Sequence, residues 1–250
     1  LNKQFGDFVT KAKISYLYES DVWEQFYTNG RNFGTAHVPQ FNNIDQSTVT
    51  NSSYNGSTKA ENIFGIVDMD YKSKYIGSFL YRVDGASQFG EDERYNPYFR
   101  VSGAYRITED VTIPGVSELK IRAAYGTAGH RPPWNAQYET FNIVGGVPVK
   151  NNLGNSSLKP TTIKETEIAL NSEFLNIFSF ELIYAMTNAE DQHWQVPLAA
   201  SQGFKTQWQN MGTLSTNSWE ATLGVEPVSS KNFGWNANIT FDRNRMMISE

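Results

Sequence analysis

The chain has 250 residues, 39% of them hydrophobic and 14% aromatic, with no cysteine and a formal net charge of −5. Lack of cysteine excludes disulfides, thiolate catalysis and cysteine-ligated zinc, and the negative balance without a basic run argues against nucleic acid as a partner. No stretch approaches the roughly 20 apolar residues of a spanning helix, but a barrel strand needs only about 9–11, half of them facing a polar lumen.

Alternating, two-faced segments recur along the whole sequence, about nine in all by the period-two criterion. The first predicted strand runs from Val9 to Glu19, with Ala12, Ile14, Tyr16 and Tyr18 on one face and Lys11, Lys13 and Ser15 on the other. A stretch rich in Asn, Ser, Thr and Gly follows, a loop composition. The next strand covers Asn62 to Tyr71: Ile63, Val67, Met69 and Tyr71 oppose Asp68 and Asp70. Lys72-Ser73-Lys74 makes a tight turn into Tyr75 to Asp84, where Tyr75, Phe79, Tyr81 and Val83 oppose Arg82 and Asp84. In Phe99 to Thr108, Phe99, Val101, Tyr105 and Ile107 oppose Arg100, Ser102, Arg106 and Thr108. The segment Leu119 to Gly126 repeats the pattern, with Ile121 and Tyr125 opposite Lys120 and Arg122. Ile163 to Asn171 and Phe178 to Asn188 form a further pair; Phe178, Phe180, Leu182, Tyr184 and Met186 make an unbroken apolar face. Trp219 to Glu226 and Trp235 to Asp242 close the series.

Short and long connections alternate without a break. Outer-membrane barrels do this because their periplasmic turns are short and their extracellular loops long. On this reading the loops around 20–58, 85–97, 127–162 and 189–217 face outward, and Tyr71 and Tyr75 sit where an interfacial aromatic girdle belongs. The fold class is therefore all-β: a segment of about nine antiparallel strands from a large transmembrane barrel, residues 1–250 forming part of one barrel domain. A soluble or surface β-sandwich that binds glycans has the same alternation and stays open as an alternative. An odd strand count and lipid-intolerant open edges make the chain read as part of something longer.

Five segments, in order, resemble SusC/RagA-type TonB-linked outer-membrane proteins. YKSKYIGSFLYRVDGASQFG (Tyr71 to Gly90) is similar to the family's strand pair ending in Arg-x-Asp-Gly-Ser-Ser-x-Phe-Gly. YNPYFRVSGAYRITED resembles the following strand, and LKIRAAYGTAGH (Leu119 to His130) resembles Leu-Lys-Leu-Arg-x-Ser-Tyr-Gly-x-x-Gly-Asn. NSSLKPTTIKETEIAL and VPLAASQGFKTQWQNMGTLSTNSWEATL match two later segments, so the resemblance covers roughly Ile63 to Met247. Departures stand at Val83 and Ala86, where Arg or Ser is expected, at Tyr98 in place of Ser, and at His130 in place of Asn.

The resemblance implies TonB-dependent import of oligosaccharides or peptides across the outer membrane of a Bacteroidetes-type bacterium. It implies a barrel of about 22 strands around a plug, energised through TonB and capped by a SusD-like surface lipoprotein. This sequence is expected to be middle-to-late barrel wall in contact with membrane lipid, with the plug and the C-terminal strands outside it. No cofactor and no enzymatic activity are expected.

Candidate substrate-contacting residues fall into two groups. Arg82, Asp84, Arg100 and Arg122 lie on polar strand faces, with Arg106, Glu165 and Glu167, where they either line a charged lumen or simply pair with one another. Trp134, Trp194 and Trp208 lie in outward loops, as do Trp23, Phe26, Tyr27, Phe33 and Tyr138. There they stack on cargo, anchor a partner, or pack within the loops. Asp68/Asp70 and Glu165/Glu167 have glycosidase-like spacing but lack the enclosed cleft that would split their pKa values. His37, His130 and His193 lack zinc-site spacing, and no nucleophile elbow, Walker or Rossmann pattern occurs. Glu91-Asp92-Glu93 reads as a solvated hairpin tip more readily than as a calcium site.

Overall fold

The computed structural model describes residues 1–249. Its strands are β1 (Asn2–Phe5), β2 (Phe8–Asn29), β3 (Thr50–Tyr71), β4 (Tyr75–Ala86), β5 (Tyr95–Arg106), β6 (Val116–His130), β7 (Phe141–Val144), β8 (Val147–Lys150), β9 (Asn152–Leu153), β10 (Thr161–Phe174), β11 (Phe178–Glu190), β12 (His193–Pro197), β13 (Thr206–Asn210), β14 (Thr213–Ser229) and β15 (Gly234–Ser249). Ten of them form one sheet in the order β1-β2-β3-β4-β5-β6-β10-β11-β14-β15. The remaining strands form small sheets within the long connections, β12-β13-β9 and β7-β8.

Register carries the alternation of each strand across the sheet. On one face Val67 stands opposite Ala12 and Phe79, and Phe79 opposite Val101. Further along, Leu182 lies between Leu170 and Ala221, and Leu223 opposite Ile239. On the reverse face Asp68 stands between Lys11 and Ser78, Arg82 opposite Tyr98, and Asn171 between Lys120 and Glu181. A one-residue slip in any strand would exchange the two faces, so the apolar stripe fixes the pairing. That stripe is uncovered: Ile14 is 82% exposed and Ile239 70%. A sandwich would bury it under a second sheet, and among the described residues none lies there. A continuous apolar face of this extent calls for a non-aqueous neighbour, and the single sheet is the wall of a barrel.

The short connections share one end of the sheet. There Phe8, Tyr71, Tyr75 and Tyr105 form a row across β2 to β5, with ring centroids 4.5, 6.4 and 5.1 Å apart in succession. The Nζ atoms of Lys72 and Lys74 sit over Tyr71 and Tyr75 at 5.4 and 4.8 Å. Rings at a membrane interface with cations just beyond them are the expected girdle.

Several elements run past the predicted limits. The sheet has ten strands rather than nine because β1 pairs with the start of β2. Strands β2 and β3 continue to Asn29 and from Thr50, shrinking the loop expected at 20–58; Ser20 to Asn29 pairs residue for residue with Thr50 to Lys59. Backbone ladders satisfy those polar residues even though their side chains carry no apolar pattern. The strand expected to reach Thr108 stops at Arg106, and Ile107–Glu109 forms a 3₁₀ turn.

Well-buried side chains gather at the long-loop end: Phe89, Ala136, Leu158 and Phe204 are all buried. Hydrogen bonds tie the loops to one another there. Gln137 Nε2 donates to the Ser87 carbonyl at 2.6 Å, Asn155 Nδ2 to the Trp208 carbonyl at 2.8 Å, and the Lys159 N–H to Asn210 Oδ1 at 2.9 Å. The hairpin β7-β8 turns on Gly145 and Gly146, with φ of +58° and +83°. A two-residue turn needs positive φ at both positions, which glycine adopts without strain.

Candidate functional site: a basic cleft on the polar face

Adjacent strands assemble a cleft of about 410 Å³ near the long-loop end of the polar face. Arg82 and Asp84 come from β4, Tyr98 to Arg100 from β5, Thr127 to Gly129 from the end of β6, and Arg131 from the residue just beyond it; Phe64 and Leu80 complete its lining. The pleat explains the grouping: Arg82 is the register partner of Tyr98, and Arg100 lies two residues further along the same face. Tyr98 is only 8% exposed and rests on Gly129. A methyl group at residue 129 would stand 1.8 Å from the Tyr98 hydroxyl oxygen, so only glycine admits the ring.

The charges are unevenly satisfied. Arg82 pairs through Nε with Asp84, and Arg131 Nη1 is 3.0 Å from Glu19 Oε2. Arg100 has one weak contact, Nη2 to Ser78 Oγ at 3.5 Å, and Ser78 itself donates to Asp68 at 2.7 Å. Arg100 also borders a second cleft containing Glu165 and Glu167 but pairs with neither. No protein group hydrogen-bonds the Tyr98 hydroxyl among the described residues.

The structure thus brings Arg82, Asp84 and Arg100 together and separates them from Arg122. The guanidinium of Arg122 is engaged lower on the wall, where Nη2 is 2.6 Å from Glu181 Oε1 and Nε donates to Asn171 Oδ1 at 2.8 Å. Asn171 Nδ2 also donates to Glu181 Oε1 at 2.8 Å, completing a compact polar network. The tryptophans are dispersed. Trp134 stacks edge-on against Trp23 at 6.0 Å. Trp194 is the register partner of Gln209 and Trp208 that of Gln195, which puts the two rings on opposite faces of the same small sheet. Trp194 is exposed and Trp208 half-buried.

Sequence reasoning missed Arg131, Glu19 and the seat of Tyr98. The Tyr98 departure from the family pattern was one available signal, since its partner Gly129 lies in the motif Leu119 to His130. It also separated two histidines that the fold joins: the rings of His130 and His193 are 6.4 Å apart. His193 Nε2 donates to the Lys159 carbonyl at 2.7 Å, and burial pushes its pKa below the ordinary 6.5. Among the described residues no group of three or more His, Asp or Glu is arranged to hold a metal ion, Glu91–Glu93 included.

The arrangement is a polar, water-accessible wall backed by an apolar face, the class of an outer-membrane barrel. The chain belongs to the family described as TonB dependent receptor-like, beta-barrel, whose model matches residues 3–246. Among curated relatives it is 28% identical to TonB-dependent receptor P3 of Formosa agariphila, over 98% of this chain and 26% of that protein. It is 22% identical to TonB-dependent receptor SusC of Bacteroides thetaiotaomicron, over 73% of this chain and 20% of SusC. The fold superposes on the structure of the RagAB peptide transporter with a TM-score of 0.81 at 18% identity, over 98% of this chain and 29% of that one. The chain spans about a quarter of the length of the curated relatives it matches.

Proposed function

We propose that this barrel wall serves TonB-dependent import across the outer membrane, admitting oligosaccharides or peptides through a lumen lined by the polar face of the sheet. The observation that carries the reading is the two-sidedness of the ten-stranded sheet, apolar without and charged within, with all long loops at one end. Its partners are TonB, reached through a plug within the barrel, and a SusD-like lipoprotein at the long-loop end; membership of the TonB-dependent receptor family and likeness to SusC and RagAB support both. Residues 1–250 form part of one barrel domain, and the work is gated passage without covalent chemistry. Arg82, Asp84 and Arg100 contact cargo, whereas Arg122 holds the wall together.

Uptake of labelled oligosaccharides and peptides by cells carrying the receptor tests this reading. Uptake is expected to cease when TonB is deleted or the proton gradient is collapsed. Accumulation that persists under both treatments would refute it.

A further inference from the structure

We infer that the cleft formed by Arg82, Tyr98, Arg100 and Arg131 binds a carboxylate on the imported molecule, so that the receptor selects acidic cargo. This rests on the import reading and adds a substrate class to it. The lining holds three guanidinium groups against one carboxylate, Asp84, with Glu19 behind Arg131 as the second. Each guanidinium presents five N–H donors in a planar fork matched to the two oxygens of a carboxylate. The ion pairs to Asp84 and Glu19 occupy only a fraction of these, and Arg100 has no acidic partner among the described residues. Tyr98 is more than nine-tenths buried, and its hydroxyl, with no protein partner, lines the same cleft. A phenol hydroxyl that meets no protein group is free to donate to a ligand oxygen. Phe64 and Leu80 add apolar surface to the lining, beside which charge-assisted hydrogen bonds are stronger than in bulk water. A carboxylate seated between Arg100 and Arg131, and accepting from Tyr98, satisfies all three.

Two kinds of cargo carry that group, acidic sugars and acidic peptides, and one experiment separates them. Binding to the purified full-length receptor is measured by calorimetry for a galacturonate hexamer and its neutral methyl ester, and for a glutamate hexapeptide and its glutamine counterpart. One acid form is expected to bind at least about tenfold more tightly than its neutral partner, the scale of a charge-assisted hydrogen bond. The pair showing the preference identifies the source. Arg100→Gln and Tyr98→Phe should each reduce the preference while leaving the heat-shifted gel mobility of the folded barrel unchanged. Tyr98→Phe keeps the ring over Gly129, so its effect reports the hydroxyl alone. Equal binding of acid and neutral forms in both pairs overturns the inference, as it would if another part of the receptor fills the cleft. So does a preference that survives both substitutions. TonB-dependent uptake without charge preference removes this inference and leaves import standing; charge preference without TonB-dependent uptake does the reverse.

Discussion

Tyr98 and Gly129 are a matched pair, and the match has a measurable consequence. Adding even a methyl group at residue 129 forces the Tyr98 ring out of its seat, because the new carbon would lie 1.8 Å from the hydroxyl oxygen. Gly129→Ala should therefore destabilise the long-loop end, by roughly 1–3 kcal/mol on the scale of overpacked sites, read as a lower unfolding temperature. Adding Tyr98→Ser should restore it, since the smaller side chain vacates the space. His193 supplies a pH dependence. Its folded-state pKa lies below 6.5, chiefly because burial penalises the charged ring. The unfolded chain therefore takes up a proton first as pH falls. Stability from this group is complete above about pH 6.5 and declines as pH drops toward the folded-state pKa. Protection of the amides around Lys159 and Asn210, which share contacts with His193, should fall below pH 6.5 when taken relative to their intrinsic exchange rates; in His193→Gln that protection should stay constant across the window.

At the scale of the strand, outward and inward positions alternate so strictly that each substitution has a side. Leu182 lies on the apolar face between Leu170 and Ala221. Leu182→Arg places a charge against lipid, at a cost of about 2–4 kcal/mol near the bilayer midplane, and should sharply reduce the heat-modifiable barrel recovered from outer membranes. Glu181→Gln, one residue along on the other face, should assemble normally; equal assembly of the two variants would reverse the assigned faces. Such strands were legible in the sequence because one side chain in two met oil, as in Phe178 to Met186. The upper halves of β2 and β3 were not, since Ser20 to Asn29 and Thr50 to Lys59 stand largely in water, where nothing imposes an apolar period. The cleft was half legible: Arg82, Asp84 and Arg100 sit on regular strands, but Arg131 follows the last residue of β6 beside two prolines and belongs to no pattern. That the loop candidates Trp194 and Trp208 lie on opposite faces was not legible, because linear sequence does not give the pairing of their small sheet.

For the whole molecule, the separation of faces predicts where lipid reaches. Trp219 and Trp235 lie on the apolar face and are 45% and 50% exposed, whereas Trp194 belongs to a sheet in the long loops. Brominated acyl chains should quench the fluorescence of the first two in reconstituted receptor and spare Trp194, a difference that single-tryptophan variants resolve. Quenching of Trp194 to the same degree would contradict the orientation.

Beyond Ala60, strand β3 loses its partner β4, and the stretch from Thr50 to Lys59 is paired with β2 alone. A two-stranded ribbon has little stability of its own in water, and this one is braced near its root by the Trp23–Trp134 contact and the Arg131–Glu19 ion pair. It projects beyond the long-loop end of the sheet like a mast. Whatever approaches the outer surface would meet this ribbon before the wall, so polar substitutions within Thr50 to Lys59 should leave assembly of the ten-stranded sheet unchanged.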